Sequence, residues 1–307
     1  MRSLIIFTLV GVGAQLVDGA LGMAFGVTAS TLLVLSGLGA AQASAAVHLA
    51  EVGTTFASGL SHWKFKNIDW PLVAKLGGPG AVGAFLGATV LSSLSTEAAT
   101  PLMGGILLAI GLYVLLRFSL RTPLTFARGT SHSAKFLTPL GLFGGFIDAS
   151  GGGGWGPVTT STLLSQGKTA PRTVIGSVSA SEFLVALSAS VGFLIGLRDE
   201  FLDNLPVVLS LMAGGVIAAP IAAWLVSRIS PALLGTGVGG VIVLTNSQKL
   251  MDHFGVQWPW STGVFTVIVL VWVSLVVYAW RISRAPKFAP ETVAEAPGEL
   301  DSEIAPR

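Results

Sequence analysis

Four carboxylates sit in stretches of this chain that disfavour charge. Asp18, Glu51, Asp148 and Glu182 each lie within or at the edge of an apolar run. An ionised side chain at the centre of a bilayer costs about 2.5 kcal/mol or more, so acids in such places pair, carry protons or serve a transported solute. They form two pairs, Asp18 with Asp148 and Glu51 with Glu182, and one pair is expected to couple proton movement to solute movement, with Asp18/Asp148 favoured. The competing reading is structural. An aspartate can accept from nearby backbone amides as a local cap, and the glutamates can pair with hydroxyls or with His48. His48 stands three residues before Glu51, a spacing that puts both on one helical face.

A second chemistry is anion binding by backbone. The run Asp148-Ala149-Ser150-Gly151-Gly152-Gly153-Gly154-Trp155-Gly156-Pro157 interrupts an otherwise apolar stretch from Phe136 to Leu164. Four glycines in a row oppose a continuous helix. Their amides are tolerated inside a membrane only where protein or a watery cavity surrounds them. Pro157 suits the start of a new helix, whose free N–H groups would face back toward the glycines and attract an anion. No Lys or Arg lies deep within an apolar stretch, so a buried salt bridge is not on offer. The candidate anion-binding set is therefore Gly22, Phe25, Gly26, Thr28 and Ser30 with Gly151, Gly152, Gly153, Gly154, Trp155, Gly156, Thr159 and Thr160. Amides and helix N-termini supply the attraction, and the Trp155 indole N–H adds a donor. The hydroxyls have an alternative in bonds to their own helix, and packing is the favoured role of Phe25 and Trp155.

These residues occur in matching places because the chain repeats itself. Adding 130 to the numbers of Asp18, Gly22, Phe25, Gly26 and Gly37 gives Asp148, Gly152, Trp155, Gly156 and Gly167. One inserted residue later Glu51 falls on Glu182, and Gly104-Gly105 falls on Gly239-Gly240 at an offset of 135. The expected organisation is a membrane repeat over 1–118, a linker over 119–135, a second membrane repeat over 136–252, an additional helix over 262–283 and a disordered tail over 284–307. Internal repeats with broken helices meeting at a site are a transporter architecture. Helix-packing glycine is the bland alternative.

Composition places these elements in a bilayer. The 307 residues are 52% hydrophobic and 10% charged, against about 25% charged in soluble chains. Mean hydropathy is +0.77. With no cysteine, thiol chemistry and disulfides are excluded. His48, His62, His132 and His253 lack metal-ligand spacing, so no metal and no cofactor is expected. The basic residues sit in short loops, a pattern of topology rather than of nucleic-acid binding. The N-terminal Met1-Arg2 and the apolar stretch after it resemble a signal peptide, but removal would delete the partner of the second glycine motif.

Eleven apolar segments are legible, of which seven are long enough or nearly so to span. The four flanking the glycine motifs are shorter. Reading each short pair as one broken span divides the seventeen Lys and Arg into ten and seven. Reading each as a re-entrant hairpin leaves only Arg2, Arg198 and Lys249 on one side, which satisfies the positive-inside rule far better. That side also receives Glu97 and the acidic turn Asp199-Glu200-Asp203. The fold class expected is thus an all-α polytopic membrane protein of two inverted-topology repeats. Each repeat is a re-entrant broken-helix hairpin plus three transmembrane helices, and one extra C-terminal transmembrane helix follows. The N-terminus is placed outside and the C-terminus inside.

The paired glycine motifs, the duplication and the short polar loops resemble the TauE/SafE family of sulfite and organosulfonate permeases over residues 1–283. The most specific element is Gly151–Pro157; Gly22-Met23-Ala24-Phe25-Gly26 departs from it, with neither tetrad nor proline. The resemblance implies a multi-pass transporter of the bacterial inner membrane that moves sulfite, sulfonates or related oxyanions, usually outward. The expected partners are that anion, protons as coupling ion and the lipid bilayer. A passive anion channel is the alternative. An intramembrane aspartyl protease would resemble a Tyr-Asp plus Gly-x-Gly-Asp pattern, whereas the contexts here are Leu-Val-Asp-Gly and Phe-Ile-Asp-Ala.

Overall fold

The computed structural model describes residues 2–21, 23–120, 132–198, 205–226, 231–256 and 259–284, and every regular element in them is helical. Among the described residues, eleven α-helices follow the eleven apolar segments. The first half contains α1 (Arg2–Leu21), α2 (Phe25–Leu35), α3 (Ala40–Lys64), α4 (Trp70–Ser93) and α5 (Thr96–Ser119). The second contains α6 (Ala134–Gly151), a π-helical turn over Gly156–Thr160 running into α7 (Ser161–Gln166), α8 (Pro171–Gly196), α9 (Leu205–Val226) and α10 (Pro231–His253). A last helix, α11 (Trp260–Arg284), packs on α10. Gly22, residues 121–131 of the expected linker, the acidic turn Asp199-Glu200-Asp203 and the tail beyond Arg284 lie outside the described residues.

Local chemistry sets the ends. Asp69 caps α4 by accepting from the Leu72 amide at 3.2 Å, with Pro71 in the first turn, and Ser95 caps α5 through the Ala98 amide. Such caps satisfy amides that a helix start leaves unpaired. Both short second arms stop at a glycine of positive φ, Gly37 after α2 and Gly167 after α7, which are equivalent at the offset of 130.

Among the described residues four helices, α4, α5, α8 and α11, are long and apolar enough by composition to cross a membrane. The expectation was seven. Helices α3 and α10 have the length, with 25 and 23 residues, but carry polar side chains turned inward: Ser44, His48 and Glu51 on α3, and Thr236, Asn246 and Ser247 on α10 are buried. These inward polar side chains lower the mean hydropathy of both helices. For α9 the described apolar stretch is Leu205–Ala218. By contrast α11 is apolar and exposed nearly throughout, with Val267, Leu270 and Val271 uncovered, as a lipid-facing helix would be.

The two halves interlock. Helix α1 lies along α9, and α6 lies along α4. Glycines permit these approaches: a Cβ on Gly11 would strike the Leu211 carbonyl, and a Cβ on Gly141 would strike the Leu76 carbonyl. Gly141 is Gly11 displaced by 130, and Leu211 is Leu76 displaced by 135. The same close packing is thus made twice, each time between halves, as small residues allow in helix pairs within lipid.

Candidate functional site

Each of the two broken-helix tips is held by its own aspartate. Asp18 Oδ1 accepts from the amides of Ala24 (2.9 Å) and Phe25 (3.1 Å) at the start of α2. Asp148 Oδ1 accepts from the amide of Trp155 at 2.8 Å, where the π-helical turn leading into α7 begins. The bonds from Phe25 and Trp155 each span seven residues, so the contact recurs along with the residue types. In the second tip α6 ends on Gly152 in the left-handed region (φ +70°), and the Gly153 amide bonds back to the Asp148 carbonyl at 2.8 Å. Gly153 and Gly154 follow at φ +144° and +155°, which side chains other than glycine rarely adopt.

The tips touch head to head. Gly26 lies against Gly153, close enough that a Cβ on Gly26 would come within 2.8 Å of the Gly153 Cα. Gly156 lies against Met23, at 2.8 Å from a Cβ on Gly156 to the Met23 Cβ. Since Gly26 corresponds to Gly156 and Met23 to Gly153, this is one contact made twice in reciprocal sense. The Ser30 hydroxyl donates to the Gly152 carbonyl and ties the tips together.

Beside this junction is a cavity of about 110 Å³, against about 30 Å³ for a water molecule in the liquid. It has room for one small ion or a few waters. Asp18, Glu51, Asp148 and Glu182 all line it, together with Gln15, Met23, Phe25, Gly26, Val27, Thr54, Thr55, Ser58, Gly154, Gly156, Pro157 and Ser179. The four acids, drawn from α1, α3, α6 and α8, thus converge, and among the described residues no Lys or Arg lines the cavity. Ser58 and Ser179 bond to each other at 2.8 Å.

His48 stands behind Asp148. Its Nε2 is 3.1 Å from Asp148 Oδ2, and its Nδ1 is 2.8 Å from the Ser44 carbonyl. A carbonyl only accepts, so Nδ1 carries a hydrogen, and one further proton must lie between Nε2 and the carboxylate. Ser44 Oγ also donates to the Ala149 carbonyl at 2.6 Å, fixing α3 against the end of α6. The equivalent of His48 in the second half is Ser179, so the tips are alike in backbone and differ in this side chain. Donor atoms of His48, Glu51 and Asp148 lie within 4.8 Å of one another, near enough to share a small cation.

Of the anion-binding set, Phe25, Gly26, Gly154 and Gly156 line the cavity, while Gly152 and Gly153 make the tip contact and Gly151 packs against Ile106. Trp155 is fully buried away from it: its indole donates to the Val178 carbonyl at 3.2 Å and its ring covers Gly80. Thr159 bonds to the Trp155 carbonyl within its own helix at 2.5 Å. Thr28 and Thr160 are buried outside the cavity lining. Amides of Ala24, Phe25, Gly153 and Trp155 are committed to internal acceptors. The cavity residues Gly26, Val27, Gly154 and Gly156 are not bound by the two carboxylates. Sequence reasoning overlooked Thr54, Thr55 and Ser58, although they lie three, four and seven residues past Glu51 on its helical face. Gln15 was equally within reach, three residues before Asp18.

Two interrupted helices meeting over a buried polar cavity, inside a bundle of apolar helices, define a membrane transporter. The chain belongs to the sulfite exporter TauE/SafE family, which it matches over residues 7–248. A curated relative, the "Probable membrane transporter protein YtnM" of Bacillus subtilis (strain 168), is 48% identical over 279 residues, covering 91% of this chain and 93% of the relative. No solved structure matches.

Proposed function

We propose that this protein is a secondary-active transporter that exports sulfite, an organosulfonate or a related small oxyanion, together with protons, across the bacterial inner membrane. The observation that carries the reading is the cavity at the tip junction, lined by four carboxyl groups and, among the described residues, by no basic side chain. An anion entering there meets repulsion from every ionised carboxylate, so its entry requires protons on the acids or on itself. Amides of the helix starts then supply the attraction, worth roughly half a positive charge per helix N-terminus. A dianion accompanied by one proton leaves a net negative load. An inside-negative potential drives that load outward with about 2.3 kcal/mol per charge per 100 mV.

In this reading the halves are inverted repeats, each a re-entrant hairpin and three spanning helices, with the tips near mid-membrane. The reciprocal contacts Gly26–Gly153 and Met23–Gly156 support it. The N-terminus is then outside and the C-terminus cytoplasmic. The test is counterflow in proteoliposomes of the full chain. Vesicles preloaded with unlabelled sulfite should transiently accumulate labelled sulfite above its external concentration. A passive channel gives equilibration without overshoot, and that result contradicts the proposal.

A further inference from the structure

The four acids at the cavity are not equivalent. Asp18 has committed Oδ1 to two amides of the first tip. Asp148 has committed Oδ1 to the Trp155 amide and Oδ2 to His48. Glu51 differs. It is 3% exposed and lines the cavity, and its Oε2 has no hydrogen-bond partner among the described residues. A buried carboxylate oxygen without a donor is costly to leave, whereas a carboxylic acid in the same place needs less from its surroundings and can itself donate into the cavity. The groups facing it are Asp148 on α6, Glu182 on α8 and Asp18 on α1, with His48 one turn back on its own helix. All three facing groups are acids, and the one imidazole is already bonded to Asp148.

We infer that Glu51 is the residue that carries the transported proton, and that His48 and Asp148 form a fixed pair sharing one proton, which positions the second tip. In the cycle a proton from water on one side converts the Glu51 carboxylate to the acid, the anion is accepted beside it, and both are released on the other side as the carboxylate re-forms. His48 keeps its Nδ1 hydrogen on the Ser44 carbonyl throughout. The backbone of Gly26, whose added Cβ would lie 2.9 Å from Glu51 Oε1, brings the first tip into contact with the proton carrier. Loading Glu51 and seating the anion are thus adjacent events.

The inference rests on the transport reading, and the experiment separates the two. Full-length wild type, Glu51→Gln, Glu51→Asp and Asp148→Asn are reconstituted, and two fluxes are measured for each: sulfite–sulfite exchange at equal pH, and sulfite accumulation driven by a pH gradient. If wild type performs neither, the transport reading fails. If wild type performs both, Glu51→Gln should lower the ratio of driven to exchange flux about tenfold or more, as removal of a positioned proton carrier does. Glu51→Asp should restore part of it. Asp148→Asn should lower both fluxes together, since it disturbs the His48 contact. An infrared difference band of a protonated carboxyl should be present in wild type and absent in Glu51→Gln, provided both elute as folded, monodisperse protein. An unchanged ratio in Glu51→Gln overturns the inference. So does wild-type accumulation that a chelator abolishes and a divalent ion restores, for a metal would then be the carried cation.

Discussion

Asp18 and Asp148 each hold the start of the helix that follows, a task that needs an acceptor oxygen and no charge. Asp18→Asn keeps such an oxygen and should retain folding and proton-driven sulfite transport. Asp18→Ala should lose about 1 kcal/mol, the usual worth of a helix cap, read as a lower thermal midpoint. If Asp18→Asn loses coupling while remaining as stable as wild type, Asp18 is a proton carrier and the capping account fails. The four acids were legible in sequence because duplication put like residues at a fixed offset within apolar stretches. Their partners were not. One-turn spacing put His48 beside Glu51, and the two are near neighbours, yet its Nε2 bonds Asp148, one hundred residues away. Trp155, offered as an indole donor to substrate, donates to the Val178 carbonyl instead. Nothing in local spacing encodes either choice; both follow from how α3 and α8 pack against the second tip.

Among the elements, the eleven helices could be read from hydropathy, and so could the glycine breaks. The expectation of seven spans exceeded the four helices that qualify among the described residues, partly because the inward polar faces of α3 and α10 lower their hydropathy. The swap of first arms, α1 onto α9 and α6 onto α4, was outside the reach of a pattern argument. It depends on glycines such as Gly11 and Gly141 that look, in sequence, like any other membrane glycine. Their equivalence makes a paired prediction. Gly11→Val and Gly141→Val should each destabilise by about 1–3 kcal/mol through overpacking, with similar falls in thermal midpoint. A loss confined to one of them would show that the two interfaces are not the same contact.

For the molecule as a whole, the proposed orientation rests on loop charge, and the absence of cysteine makes it directly measurable. Ser93 ends α4 and Lys64 ends α3, and both are exposed. In intact cells a membrane-impermeant maleimide should label Ser93→Cys, and should reach Lys64→Cys only after permeabilisation. The opposite pattern would invert the topology, and equal labelling of both would discard it.

The claim on which the whole account turns is that anion and proton cross together through the cavity where the two tips meet. An outward sulfite gradient is imposed on proteoliposomes containing a trapped pH-sensitive dye, with the membrane potential clamped. The account predicts that sulfite leaving the vesicles takes protons with it, so the interior turns alkaline at a rate that follows the sulfite flux. Sulfite efflux at full rate with no change in internal pH would contradict it.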